Sequence, residues 1–304
     1  MPETMELIFA TRPSALARWQ TEWVMDQLRQ AWPGLACEAE VITTRGDRIL
    51  DRPLPEIGGK GLFTEELEAV LHDGQVNGAV HSLKDLPIEI PEGLTLGAVP
   101  ERAEVRDALV SARGYTLDTL PQGALVGTSS LRRKAQVLLY RPDLRVEPIR
   151  GNVDTRVRKA LEEQYDAVVL AGAGLIRLGL EEQISQWLPL EVMLPAPGQG
   201  ALAVQCRAED QETLHYLAAL EDAKTRLATR TERAFLNGLG GGCSLPVAAH
   251  AVLHDGEIEL LGLVVSPGGE KAVTVQRTGR EPEALGAQAA HEALEAGAGA
   301  YLHV

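Results

Sequence analysis

Hydroxyl, cationic and acidic side chains recur in this chain where strand-like runs give way to helix-like ones. "ATRPS" sets Arg12 and Ser14 at such a junction, and "HSLKD" sets Ser82, Lys84 and Asp85 at another. "GTSSLRR" brings Thr128, Ser129, Ser130, Arg132 and Arg133, "IRGNVDTR" brings Arg150, Asn152 and Arg156, and "GAGLIR" brings Arg177. Ligands of open α/β sheets gather at strand ends. Free backbone N–H groups and the helix dipole favour an anion there, and arginine adds a planar fork for a carboxylate or phosphate. One such residue reads equally well as a helix cap or a solvated charge; the repeated placement suits a ligand with several anionic groups. Asp85 is the carboxylate positioned to stabilise a developing positive charge or relay a proton, with a salt-bridged surface residue as its plain alternative. His81, inside the same strand, reads as a packed residue and not a base.

A second feature is "LNGLGGGCSLPVAAHA" (236–251), where three glycines lead into Cys243. The glycines permit positive φ and remove bulk, as at the cap of a long helix. On spacing alone Cys243 is a structural thiol, a nucleophile or an attachment point, and His250 is a poor partner for a nucleophile. Cys37, Cys206 and Cys243 are the only cysteines, without Cys-x-x-Cys spacing, and the seven histidines have no metal-ligand spacing. Neither a disulfide framework nor a metal is expected. "GAG" and "GGKG" match no nucleotide fingerprint.

The elements that must position these groups are legible as periodicity. Strand-length apolar runs ("ELIFATR", "EAEVITTRG", "GAVHSLKD", "LTLGAVP", "DALVSA", "ALVGTSS", "RVEPIRG", "DAVVLAGAG", "ALAVQCRA") alternate with helix-period segments, which predicts parallel α/β layers. From Asp222 the pattern becomes one long helix, a three-strand meander and a final helix, a smaller α+β unit. "DRILDRPLPEIGGKG" has no period and reads as a mobile loop. Among the 304 residues no apolar run reaches membrane-spanning length, and no basic flank precedes an apolar run at the N-terminus, so a cytoplasmic chain without a membrane span is expected. Net charge −14 disfavours nucleic acid and anionic lipid. Against it, residues 127–160 carry nine basic and three acidic groups, a local +6 that leaves −20 elsewhere. A basic island in an acidic protein points to a local anionic ligand.

Over nearly its full length the sequence resembles the porphobilinogen deaminase (hydroxymethylbilane synthase) family of tetrapyrrole and heme biosynthesis. The blocks are "TRPSALARWQ", "TRGD", "GGKGLFTEELE", "AVHSLKDLP", "VGTSSLRRKAQ", "RGNVDTRVRK", "LAGAGLIRLG", "LPAPGQGALAVQCR" and "ERAFLNGLGGGCSLPVAAHA", in order. The departures are Ala10 where glycine is usual and Gly240 where a polar or acidic residue often stands.

The resemblance implies two lobes like type II periplasmic binding proteins, with a cleft between them, plus a smaller α+β domain. Residues 1–99 with 200–218 would form domain 1, 100–199 domain 2 and 222–304 domain 3. It implies a transferase that condenses four porphobilinogen molecules, each losing ammonia, onto a dipyrromethane cofactor held by Cys243 as a thioether. Asp85 would be the catalytic residue, a buried carboxylate on the pyrrole N–H. Ser82, Lys84, Asp85, Thr128, Ser129, Ser130, Arg132, Arg133, Arg156 and Gly172 would hold the cofactor. Arg12, Ser14, Phe63, Arg150, Asn152, Arg177 and Gln199 would meet substrate, and residues 48–60, with Lys60, would form a lid. A monomer is implied, with uroporphyrinogen-III synthase, the next enzyme of the pathway, as a partner. The competing classes are a reversible anion-binding module, for which the glycine-flanked cysteine has no purpose, and a cysteine hydrolase, which lacks a histidine partner.

Overall fold

A computed structural model describes residues 6–48, 62–241 and 245–302. They form two compact units, one from residues 6–48, 62–102 and 201–226, the other from 103–200, 227–241 and 245–302.

In the first unit, strand β1 (Glu6–Thr11) is followed by helix α1 (Ala15–Ala31), β2 (Ala36–Val41), the single-turn α2 (Arg45–Arg48), α3 (Glu65–His72), β3 (Gly78–Ser82) and β4 (Leu94–Ala98). The chain later returns as β10 (Leu202–Arg207) and α7 (Gln211–Leu217). Side chains of β1 alternate between two faces, as the pleat requires. Leu7 and Phe9 pack with Val24, Met25 and Leu28 of α1, while Ala10 packs with Leu67 and Leu71 of α3. Alanine at position 10 therefore fills core space. Ser14 starts α1 by accepting the Ala17 N–H on its hydroxyl at 3.2 Å, which removes one orphan donor.

The second unit contains β5 (Asp107–Val110), β6 (Leu125–Gly127), α4 (Leu131–Tyr140), β7 (Arg145–Glu147), α5 (Val153–Leu161), β8 (Ala167–Ala171), the short α6 (Gly172–Arg177) and β9 (Gln186–Trp187). Alternation again makes two faces. Leu109, Val126 and Val169 meet Val137 of α4, and Ala108, Val110 and Val168 meet Val157 of α5 and Leu175 of α6.

The alternation of strands and helices predicts parallel layers, but both five-stranded sheets are mixed. Their orders are β2-β1-β3-β10-β4 and β7-β6-β8-β5-β9, with β10 and β5 antiparallel to both neighbours. Hydrophobic period reports which face is buried; it carries no information on strand direction. The expected strand over 38–46 instead spans Ala36–Val41. The Thr44 hydroxyl donates to Asp47 Oδ2 at 2.8 Å, and the Asp47 N–H returns to Thr44 Oγ1 at 3.3 Å. This reciprocal cap starts α2 and ends the strand early.

After α8 (Ala223–Gly238), strands β11 (Val247–His254), β12 (Glu257–Val265) and β13 (Ala272–Gly279) form an antiparallel meander, closed by α9 (Pro282–Glu295). Phe235 of α8 and Ala289 and Ala290 of α9 bury one face of it against Ala249, Leu260 and Val275. Gly240 and Gly241 follow α8 with φ of 97° and 65°, and the Gly241 N–H donates to Leu236 O at 3.0 Å, the expected glycine cap. The meander shares a unit with the second sheet, and the Ala249 N–H donates to Pro195 O at 3.0 Å. No helix among the described residues is long and apolar enough to cross a membrane.

Candidate active site

In the first unit, Arg12, Ser14, Phe63, Ser82 and Asp85 line one shallow concavity, open to solvent, together with Gln20, Thr64 and His81. Two strand ends and a helix start converge there, because β1 ends at Thr11, α1 starts after Ser14, β3 ends at Ser82, and a 3-10 turn (Leu83–Asp85) carries the chain on. Arg12 is locked on two sides. Its Nε donates to Asp47 Oδ2 at 3.2 Å and its Nη2 to Asp47 Oδ1 at 2.5 Å, while Cζ lies 4.1 Å from the Phe63 ring centroid. Phe63 can lie there because position 46 is glycine; a Cβ at Gly46 would fall 2.1 Å from the Phe63 ring. Burial pushes the Asp47 carboxyl up, but bonds and charge from Arg12 and bonds from Thr44 outweigh it and hold the group below its ordinary value. Thr44, Gly46 and Asp47 of "TRGD" are thus explained, although sequence reasoning gave these residues no site role. Gln20, also missed, donates to Ser82 Oγ at 2.9 Å.

Asp85 is exposed, on the wall of the concavity, and not the buried carboxylate expected. The 3-10 turn sets it at the rim, where solvent reaches it. Its carboxylate has no hydrogen-bond or ion-pair partner among the described residues. The contrast with Asp47, committed to Arg12 and Thr44, identifies Asp85 as the acid available to a ligand. Lys84 is half-buried beside it.

His81 is buried and its Nε2 has no hydrogen-bond partner among the described residues. Desolvation outweighs the opposing effect of the Gln205 side chain and, with the Arg12 charge acting in the same direction, pushes its pKa from 6.5 down to about 4. The group is therefore neutral at pH 7, in line with the packed role. Because the unfolded chain protonates His81 near 6.5 and the folded chain only near 4, stability is full above about pH 6.5. It falls as the pH drops towards 4, by on the order of 3 kcal/mol. Urea unfolding at pH 7 and pH 4.5 should show this fall in the parent and a shallower one in His81→Gln. Equal slopes would remove His81 from the account.

In the second unit, Ser130 caps α4 by accepting the Arg133 N–H at 3.4 Å, and Thr128 Oγ1 accepts the Ser130 N–H at 3.2 Å. Ser129 Oγ donates to Ile149 O at 2.6 Å, joining this turn to the stretch before Arg150. Asn152 precedes α5 without a side-chain cap bond, Arg156 Nε donates to Gly151 O at 2.8 Å, and Lys159 Nζ donates to Arg150 O at 3.1 Å. Gly172 opens α6 where a Cβ would meet the Trp187 ring at 2.1 Å, so packing alone requires glycine there. Arg177 Nη2 donates to Gly200 O at 2.8 Å, and burial pulls its pKa down to about 10, which leaves it charged at neutral pH.

Arg132, Arg133 and Gln199 converge on Asp107, another acid that sequence reasoning missed. Arg132 Nη1 lies 2.8 Å from Asp107 Oδ2; Arg133 Nε and Nη2 donate to Oδ1 at 3.0 and 2.8 Å; Gln199 Nε2 donates to Oδ1 at 3.0 Å. Removing one partner from such a buried set costs about 3–5 kcal/mol, so these arginines are held firmly. Nothing in "RDALV" distinguished Asp107 from a surface residue; only the fold brings the three partners to it. Cys243 and Lys60, and residues 49–60 of the expected lid, lie outside the described residues.

Residues 7–215 match the family model described as "Porphobilinogen deaminase, dipyromethane cofactor binding domain", and residues 227–295 match "Porphobilinogen deaminase, C-terminal domain". A porphobilinogen deaminase of Brevibacillus brevis is 53% identical over 95% of this chain and 94% of its own length. One from Roseiflexus sp. is 51% identical over 97% of this chain and 98% of its own. Among solved structures, substrate binding domain 2 of Lactococcus lactis GlnP covers 72% of this chain and 90% of its own at 11% identity and a TM-score of 0.44. With both family models matched in sequence order, and relatives about half identical along nearly the whole length, the chain belongs to the porphobilinogen deaminase family.

Proposed function

We propose that this chain condenses four porphobilinogen molecules head to tail onto a covalently held dipyrromethane and releases the linear tetrapyrrole hydroxymethylbilane. The observation that carries the reading is the uncommitted Asp85 carboxylate, in one concavity with an arginine fixed over an aromatic ring. Porphobilinogen has an acetate, a propionate and a pyrrole N–H. With Nε and Nη2 of Arg12 taken by Asp47, its Nη1 is left for a substrate carboxylate. Phe63 presents an apolar edge to the ring, and Ser14 and Ser82 offer hydroxyls.

Each cycle breaks one C–N bond, releasing ammonia, and forms one C–C bond as the free α-carbon of the terminal ring attacks the incoming methylene and loses its proton; after four cycles water cleaves the bond to the primer and supplies the hydroxyl of the product. The cation left on the incoming unit is the species to be stabilised. Asp85, accepting the pyrrole N–H, supplies the opposing charge where it develops. Its exposed position leaves the carboxylate open to a ligand. The dipyrromethane, when bound, supplies the free α-carbon that takes up the first unit. The donor set fits so anionic a group: it is rich in cations and hydroxyls, and among the described residues the buried Nε of Arg132 has no hydrogen-bond partner. Cys243 would hold it by a thioether, with Ser82, Lys84, Thr128, Ser129, Ser130, Arg132, Arg133, Arg156 and Gly172 around it. Arg150, Asn152, Arg177 and Gln199 would serve the lengthening chain. A cytoplasmic monomer that hands its product to uroporphyrinogen-III synthase completes the proposal; the buried free thiols of Cys37 and Cys206 are compatible with a reducing compartment.

The test is stoichiometry. Incubation with porphobilinogen should release four ammonia molecules for each tetrapyrrole formed. Binding of porphobilinogen without ammonia release would replace this reading with a reversible binding module.

A further inference from the structure

Asp107 is the first residue of β5 and is fully buried. Its carboxylate receives Arg132, Arg133 and Gln199 at 2.8–3.0 Å. Arg133 spends all three guanidinium nitrogens inside the protein, because Nη1 donates to Val169 O at 3.3 Å. Arg132 Nη1 also donates to Leu194 O at 2.6 Å, yet its Nε, buried in a side chain that is 4% exposed, has no hydrogen-bond partner among the described residues. Two guanidiniums share one carboxylate, so the cluster keeps a positive charge in excess. A buried, uncompensated charge is costly unless an anion completes it. Burial disfavours the charge on Arg132, and the nearby Arg133 guanidinium adds to this, while Asp107 opposes it.

We propose that Asp107 is a positioning residue, which anchors Arg133 and with it fixes the neighbouring Arg132 guanidinium for a carboxylate of the dipyrromethane or the growing chain. A carboxylate held rigidly in the sheet sets both forks at once, where either arginine alone would sample many rotamers. Gln199 ties the same carboxylate to the "APGQG" turn. There Gly200, at φ 88°, brings its carbonyl to Arg177, and an added Cβ would strike Ala103 O at 2.7 Å. The inference rests on the proposed role of the two arginines and adds the acid that aims them.

The test uses the full chain as expressed, in the variants Asp107→Asn, Asp107→Glu and Arg132→Gln. Folding is followed by circular dichroism, and the fraction of chains carrying the dipyrromethane mass by intact mass after denaturation. The porphobilinogen KM and the kcat per loaded chain complete the readout. Asp107→Asn should fold, lose most of its loading, and raise KM about tenfold, the size of one lost charge-assisted bond. Its kcat per loaded chain should change much less, because Asp85 is untouched. Asp107→Glu keeps the charge but moves it by a methylene group, and should show the same defects to a smaller degree. It decides the matter if Asp107→Asn does not fold. Folded Asp107 variants with parental loading and KM would overturn the inference. If Arg132→Gln also loads normally with an unchanged KM, the arginine assignment itself falls; if only Arg132→Gln is impaired, the positioning role alone falls.

Discussion

Asp85→Ala should fold like the parent, keep its dipyrromethane, and turn over porphobilinogen at least about a hundredfold more slowly, the usual effect of removing one preorganised group that faces developing charge. The expectation follows from what surrounds this carboxylate. Asp47, in the same unit, is bonded to Arg12 and Thr44 and serves to hold Arg12, so its loss would disturb binding first. Asp85 holds nothing among the described residues, sits at the end of a short turn, and is exposed. Its removal should cost little stability, since exposed side chains without partners change folding by about 0.5 kcal/mol or less. The decisive measurement is kcat per loaded chain beside a thermal unfolding curve. Unchanged turnover would remove Asp85 from the chemistry, and a collapsed unfolding temperature would make it a structural residue.

The second large effect is at Cys243. Intact mass of the denatured parent should exceed the sequence mass by two linked pyrrole units, and Cys243→Ser should show the bare sequence mass with turnover abolished. Serine preserves size and polarity but cannot form the thioether, so folding should survive. The glycine cap at 240 and 241 lies before this position and is unaffected by the change. A fully active protein at the bare mass would refute the attachment. The two variants separate two jobs: Asp85→Ala should carry the extra mass and fail in turnover, whereas Cys243→Ser should lack both.

Much of the fold was legible because burial writes itself into period. The apolar run "ELIFATR" marked a strand, whose two faces, Leu7 and Phe9 against Ala10, the structure then separates, and Ser14 and Ser130 marked helix starts that the structure retains. Strand direction was not legible, since β10 and β5 read like their neighbours and are antiparallel only through the path of the chain between sheets. The site was half legible. Arginines and hydroxyls at strand ends stand out by type, and the concavity gathers Arg12, Ser14, Phe63, Ser82 and Asp85. The acids that hold the arginines did not stand out. Asp47 and Asp107 acquire meaning from partners 35 and 26 residues away, and no local pattern encodes such a meeting. Gly46 was equally silent, because its reason is the ring of Phe63.

The order β2-β1-β3-β10-β4 also governs how this protein is made. Strand β4 ends at Ala98, yet the neighbour that joins it to the rest of its sheet is β10, which begins at Leu202. On the ribosome the first sheet is therefore an incomplete three-strand layer while the whole of the second sheet is being synthesised. At about 5–20 residues per second that wait lasts several seconds. The edges of β3 and β4 stay open meanwhile, and closing them requires contacts far apart in sequence, which slows folding. A chain cut short between the two sheets would retain the machinery around Arg12 and Asp85 but lack the strand that closes the sheet beneath it.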